Sequence, residues 1–490
     1  MRPSHGGASV RGQSRYAVLP ATLLAVLLAG APGASATDVR PDPVAVTADG
    51  VGPTTQAEAR PQLSTLTRPL GQVADGTMPS SSQLTEEIAD EVASKWLGPS
   101  KRRALTVRDA LTGKHLADRN ADKLVVPAST TKLISAAAIV TGLSPEHTFS
   151  TRVVTGASPE EVVLVAGGDM LLARGEGRAD GVTGHAGVAD LARATAQALK
   201  VQGQEQPVTV QLDLDYVAGP DVLETWTSSW VDNGYTGRIV QLGLAEDLSA
   251  PYAPSPKDPP QEVVAAFRTA LVAEGVQVRD GDDPQAKASL TSAPEGATEL
   301  ASVESAPLRD VLAHALAISD NAMVEQLARQ AAVAAGRTVE LSEVTAWVKE
   351  SVQENYDVDL TEVQLADTSG LSDGTRIPVR AIADVLVEGA NGSHPALQSV
   401  LAAGGLPIAG YTGTLATRFH LPVHAAAIGN ARAKTGSLPG VTSLAGTVVT
   451  KDGRLLVYAM TADKIGEDGA VLEARSMLDE IVAQLARCGC

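Results

Sequence analysis

Apolar residues at Leu84, Ile88, Val92 and Trp96 recur every fourth position, a spacing that lays them along one stripe and predicts a helix. Residues 104–109 then read as a strand. Thr112-Gly113 offers a turn from which the chain returns toward Leu124 and Val126, the pattern of a hairpin. Pro127 leads into a helix predicted to begin about Ser129. Between residues 148 and 303 the texture changes: strand-like runs at 162–165 and 208–214 mix with helical segments at 185–201 and 261–274. Two helices follow, 308–317 and 322–335, with a short break at Ser319, Asp320 and Asn321. The chain closes with strands 441–449 and 455–460 around an Asp452-Gly453 turn, then a helix carrying Val471, Leu472, Leu478, Ile481 and Leu485.

Strands near both ends of the chain, flanked by helices, imply an α+β fold in which an antiparallel sheet carries helices on its faces. The differently textured middle implies an inserted domain. We therefore expect one domain from residues 83–147 and 304–490 together and a second from 148–303. Residues 37–82 are rich in Pro, Thr, Gly and Ala without periodicity. Such a segment cannot bury enough surface to offset the entropy of ordering, so it reads as a disordered linker. Before it, Arg2, Arg11 and Arg15 precede an apolar run from Ala17 to Leu28 and a small-residue cleavage pattern at Ala34-Ser35-Ala36. Residues 1–36 thus read as a secretory signal. The run is short for a membrane span, and no cysteine stands at the cleavage point to take a lipid. A released extracytoplasmic or cell-wall protein with no stable span after cleavage is expected, an uncleaved anchor being the alternative.

The length of 490 residues suits more than one domain, and the net charge of -18, with no offsetting basic stripe, excludes a nucleic-acid partner held through its phosphates. Only Cys488 and Cys490 are present, so no disulfide framework or cysteine metal cluster is available. They read as part of a frayed end, with a lipid or an intermolecular bridge as alternatives. His420 and His424 stand four apart, but Pro422 between them spoils a helical ligand pair, and no His-Glu-x-x-His occurs. No metal and no cofactor are expected.

Three short motifs carry the chemistry: Ser129-Thr130-Thr131-Lys132, Ser319-Asp320-Asn321 and Lys434-Thr435-Gly436-Ser437. Each occurs once, at a predicted helix start, an interhelical break and a strand. Residues three apart on a helix share a face, so the Lys132 amine can reach the Ser129 hydroxyl. A serine hydroxyl is a poor nucleophile at neutral pH and needs such a base, which a desolvated lysine near other cations becomes. The Ser129 N–H, a free donor of the first turn, and the Ser437 N–H can face a developing oxyanion. Ser319 suits proton relay to a leaving nitrogen, Asn321 the fixing of Lys132 and a substrate carbonyl, and Asp320 the capping of the next helix. Lys434 and Thr435 offer a cation and a hydroxyl to a terminal carboxylate, while Gly436 lets a backbone approach closely. The plain alternatives are a capping serine with a solvated lysine, and capping at Ser319 and Asn321.

With these residues the chain resembles the class C low-molecular-mass penicillin-binding proteins, D-alanyl-D-alanine carboxypeptidases that can also act as D,D-endopeptidases. Pro127-Ala128-Ser129-Thr130, Gly167-Gly168-Asp169, Asp367-Thr368-Ser369-Gly370-Leu371-Ser372 and Leu406-Pro407-Ile408-Ala409-Gly410 extend the resemblance over residues 84–487. It implies the fold shared by penicillin-binding proteins and serine β-lactamases, with a domain inserted between the first two motifs, here 190 positions apart. It implies peptidoglycan stem peptides as substrate, an acyl-enzyme on Ser129, and β-lactams as covalent inhibitors. It also implies that Asp169 and Arg376 help recognise a charged wall-peptide side chain. Met170 stands where the family usually has proline, and the insert is shorter than in members with two subdomains there. The rival readings are a β-lactamase, which needs a carboxylate to activate the deacylating water, and a catalytically silent wall-binding scaffold. No carboxylate has motif-level support for the first, and intact Ser129, Lys132, Ser319, Asn321 and Lys434 argue against the second.

Overall fold

Leu456, Tyr458 and Met460 face one side of a strand and Val457 and Ala459 the other, and both sets are buried in different apolar clusters. A strand buried on both faces must lie inside a sheet covered on both sides. The computed structural model describes residues 76–279, 283, 286–401, 405–466 and 470–489. The signal and most of the linker expected from the sequence lie outside the described residues.

Among these residues the strands are β1 (Arg103–Asp109), β2 (His115–Arg119), β3 (Ser150–Thr155), β4 (Glu161–Val165), β5 (Asp169–Leu172), β6 (Thr209–Asp213), β7 (Leu242–Leu244), β8 (Glu299–Glu304), β9 (Ala431–Leu438), β10 (Val441–Val449) and β11 (Leu455–Asp463). The first sheet runs β2-β1-β11-β10-β9 with every neighbouring pair antiparallel. Strands from the start and end of the chain therefore close one sheet through the β1–β11 pair. The Asp452-Gly453 turn joins β10 to β11, with Gly453 at φ 82°, where a side chain would be strained. One face packs on helix Ala470–Arg487 through Leu478, Ile481, Val482 and Leu485. The other packs on a group of helices that includes Lys132–Gly142, Asn321–Ala334 and Val379–Ala390.

The second sheet, β6-β4-β3-β8, is built from residues 150–304. Its Val153, Val162, Leu164, Val210 and Leu212 share a separate apolar cluster with helices Val188–Val201 and Pro259–Ala273. β4 and β6 are parallel, which requires the crossover that helix Val188–Val201 supplies. β5 and β7 form a small pair of their own.

Some expectations are corrected. The stripe from Leu84 to Trp96 is not one helix: Ser81–Glu87 and Ala89–Ala93 are separated at Ile88, whose backbone leaves the helical region, and Lys95–Leu97 is a 3-10 turn. The first of these begins at Ser81, inside the segment expected to be linker, because Ser80 caps it by accepting from the Gln83 N–H. The hairpin partner of β1 is residues 115–119 rather than a run reaching Val126. Cys488 is not frayed: directly after helix Ala470–Arg487 it is 5 % exposed in the apolar cluster that the helix shares, and it is disulfide-bonded.

Candidate active site

Ser129 sits on a 3-10 turn, Ala128–Thr131, that runs straight into helix Lys132–Gly142, so the expected helical start is tighter than an α-turn. The turn is pinned from several elements. Ala128 adopts φ 49°, a costly conformation outside glycine. The Pro127 carbonyl accepts from Ser443 Oγ of β10 at 2.6 Å and from Thr130 Oγ1 at 2.7 Å, and Asp463 at the end of β11 accepts from the Val126 N–H at 2.9 Å. Gly436 of β9 packs against the same turn. A Cβ there would meet Ser443 Oγ at 2.1 Å, the Pro127 carbonyl at 2.8 Å and the Ser129 amide at 3.0 Å. Only glycine lets the strand come this close.

Lys132 is completely buried, and its Nζ lies 3.0 Å from Ser129 Oγ, 2.6 Å from Asn321 Oδ1 and 2.8 Å from the Ser369 carbonyl. An ammonium would donate to all three. A neutral amine donates to the amide and the carbonyl, leaving its lone pair for the Ser129 proton. Burial lowers the lysine pKa from 10.5 to about 8, against the opposing charges of Asp367, Glu325 and Asp320. The amine is thereby moved into the range of a working general base.

Ser319 ends helix Leu308–Ile318 in the left-handed conformation, φ 64°, and Asp320 caps helix Asn321–Ala334 by accepting from the Met323 N–H at 2.8 Å. The break thus presents Ser319 and Asn321 side by side. Asn321 Nδ2 also donates to the Tyr235 carbonyl at 3.1 Å. Lys434, buried in β9, donates to Ser319 Oγ at 2.8 Å and to the Thr435 carbonyl at 2.8 Å. Burial and the nearby Lys132 charge push its pKa well below the ordinary lysine range.

β9 is an edge strand. Residues 407–409 cover its first part through Ala433 N–H to Pro407 and Ala409 N–H to Ala431, both 3.0 Å. Beyond Lys434 the edge opens onto a cavity of about 730 Å³ lined by Ser129, Ser319, Asn321, Thr435 and Ser437 on one side. Trp230, Tyr235 and Leu248 line it as well. Trp230 and Tyr235 meet edge to face at 5.4 Å.

The structure does not bring Asp169 or Arg376 to this cavity. Asp169 is 2 % exposed in β5, bonded to the Leu171 N–H at 2.8 Å, and burial raises its pKa to about 7. Arg376 is half-buried, pairs by backbone with Gln364 and turns its guanidinium to the Thr375 carbonyl at 2.7 Å. Two acids without an expected role, Glu325 and Asp367, stand beside Lys132. Glu325, one helical turn beyond Asn321, accepts from the Thr368 N–H at 3.0 Å and the Ser369 N–H at 2.8 Å. Asp367 accepts from the Gly370 N–H at 2.6 Å, the Ser372 N–H at 2.7 Å and Trp226 Nε1 at 3.1 Å. Together they hold the turn whose Ser369 carbonyl orients Lys132. An acidic residue four positions after Asn321, on the same helix face, was the available signal.

Family comparison decides the identity of this arrangement. The model of the D-Ala-D-Ala carboxypeptidase 3 (S13) family matches residues 84–251 and 245–485. The chain belongs to that family. It is 33 % identical to a carboxypeptidase of Mycobacterium tuberculosis over 85 % of this chain and 87 % of that one. It is 30 % identical to the carboxypeptidase DacB of Mycolicibacterium smegmatis over 84 % and 85 %. Penicillin-binding protein 4 of Haemophilus influenzae superposes with a TM-score of 0.61 at 19 % identity, covering 82 % of this chain and 98 % of that one. As an S13 member the chain is a serine-type carboxypeptidase acting on peptidoglycan, with the α+β fold seen in that penicillin-binding protein. No helix among the described residues is long and apolar enough to cross a membrane.

Proposed function

We propose that this carboxypeptidase works through an acyl-enzyme on Ser129. Ser129 Oγ attacks the carbonyl carbon of the penultimate D-alanine of a stem peptide as its proton passes to neutral Lys132 Nζ. The C–N bond to the terminal D-alanine breaks, and the proton reaches the leaving nitrogen through Ser319, held by Lys434. Water then hydrolyses the ester with the same groups moving protons in reverse. Asn321 holds Lys132 and the substrate amide; Thr435 and Ser437 hydroxyls and the Lys434 charge receive the terminal carboxylate. The N–H groups of Ser129 and Ser437 stabilise the oxyanion. The open edge of β9 lets the peptide add as a strand, which positions the scissile bond along it.

The observation that carries this reading is the 3.0 Å contact of a fully buried lysine with Ser129 Oγ, in a cavity shared with Ser319, Asn321 and Thr435. The β-lactamase alternative lacks its water-activating group: among the described residues lining the cavity the one carboxylate is Asp320, committed to capping Met323. In the same reading residues 1–36 are the secretory signal, residues 148–303 the inserted domain, and β-lactams acylate Ser129 in place of substrate. Release of D-alanine from a peptide ending in D-Ala-D-Ala tests it. The protein should release one D-alanine per peptide, and Ser129→Ala should release none above background. Equal release by a folded Ser129→Ala variant would refute it.

A further inference from the structure

Arg475 projects from helix Ala470–Arg487 into the wall of the active-site cavity, which it lines with Thr435, Ser437 and Arg418. Its Nη2 donates to Ser437 Oγ at 3.0 Å. That is the one side-chain hydrogen bond it makes among the described residues, and it has no ion pair among them, although a guanidinium has five N–H donors. The neighbouring carboxylate, Asp479, is taken by Arg418, whose Nη2 and Nε reach it at 2.6 and 3.3 Å. Arg475 is half-buried beside that second arginine. The wall here therefore carries two guanidinium groups, and the one neighbouring carboxylate is held by Arg418. Cations gathered around a partly desolvated space without a matching acid are what an anionic ligand would neutralise.

The hydroxyl geometry points the same way. Ser437 Oγ accepts from Arg475, which leaves its own proton to donate into the cavity. Thr435 Oγ1 is tied to Thr414 Oγ1 at 2.9 Å. A planar anion at this place would find an oriented hydroxyl and the spare N–H groups of one guanidinium on the same side.

We propose that Arg475 is a specificity-determining residue that binds the α-carboxylate of the substrate's terminal D-amino acid, and that it selects free C-terminal acids over neutral ends. This rests on the carboxypeptidase reading above and deepens it: the residue comes from the last helix, outside the three motifs.

The test is a cycle of two substrates and three proteins. One peptide ends in D-Ala-D-Ala with a free carboxylate and the other in the corresponding carboxamide. They are assayed with the full-length protein, Arg475→Met and Arg475→Lys, each checked for an intact thermal transition. The unchanged protein should prefer the acid. Arg475→Met should lower kcat/KM for the acid on the order of 10- to 100-fold, the worth of a charge-assisted hydrogen bond, and change the amide by less than about twofold. Arg475→Lys should fall between, because it keeps the charge and loses the fork. Equal losses on acid and amide would show that Arg475 acts only by placing Ser437, and would overturn the proposal. Should Arg475→Met not fold, the unchanged protein and Arg475→Lys decide: no preference for the acid, or no loss of that preference in the lysine variant, overturns it. Penicillin labelling keeps the two levels apart. A Ser129 that labels while acid and amide react alike removes the role of Arg475 alone, whereas an unlabelled Ser129 removes the reading beneath it.

Discussion

Replacing Lys132 by arginine is the sharpest perturbation of the proposed base. At its ordinary pKa of 10.5 a lysine is about 0.03 % neutral at pH 7, while at about 8 it is about 9 % neutral, so burial supplies roughly a 300-fold larger fraction of working base. Arginine keeps a cation at the position but does not deprotonate in this range. The rate of Ser129 acylation by a fluorescent penicillin, followed from pH 6 to 9, should rise about tenfold from pH 6 to 7 and about fivefold more by pH 8, then level off. Lys132→Arg should lose about 10²- to 10⁴-fold and lose the pH dependence with it. Because the site is fully buried, thermal melting must accompany the assay. Lys132→Met would strand the Asn321 and Ser369 acceptors at about 1–3 kcal/mol each. A rate independent of pH over this range, or a folded Lys132→Arg protein that acylates normally, would refute the assignment of Lys132 as base.

Three other predictions follow from single contacts. Gly436→Ala, whose Cβ would lie 2.1 Å from Ser443 Oγ, should push β9 off the Ser129 turn and cut acylation at least tenfold, on the order of the 1–3 kcal/mol cost of overpacking; an unchanged acylation rate would contradict it. Burial and the Asp367 charge raise the Glu325 carboxyl from 4.5 to about 7, so the folded state holds a proton that the unfolded state releases between these values. Stability should therefore fall as pH rises from about 4.5 through 7, and melting curves should show a flatter slope there for Glu325→Gln. Equal slopes would count against it. Asp169→Asn and Arg376→Ala should alter kcat/KM on a stem peptide by less than about twofold, since neither side chain lines the cavity, whereas a tenfold loss with normal melting would place them in recognition after all.

The three motifs were legible because each sits at a point the local pattern marks: a proline before a helix, a gap between two apolar stripes, the approach to a long hairpin strand. Lys132 beside Ser129 follows from helical spacing alone. The surroundings that bury Lys132 and lower its pKa did not, since its other two partners, Asn321 and Ser369, lie 189 and 237 positions away. The Glu325–Asp367 clamp escaped for the same reason, although the 367–372 segment itself stood out. The burial of Asp169 was not legible, because a family likeness says that an acid is near, whereas its position in β5, paired with β7, turns it into the core. Arg475 was hidden inside an amphipathic helix, where a charge between apolar positions reads as a solvated face. The hairpin from β10 to β11 was clear because a glycine turn separates two long apolar runs. β5 and β7, of four and three residues, carry too little pattern to be seen.

Everything proposed for the site depends on Ser129 being the nucleophile. Incubating the folded protein with penicillin and mapping the adduct by peptide mass spectrometry tests it directly. A mass increase of one penicilloyl group is expected on the peptide containing Ser129, lost in Ser129→Ala. A stoichiometric adduct on another residue, or none on folded protein, would contradict it.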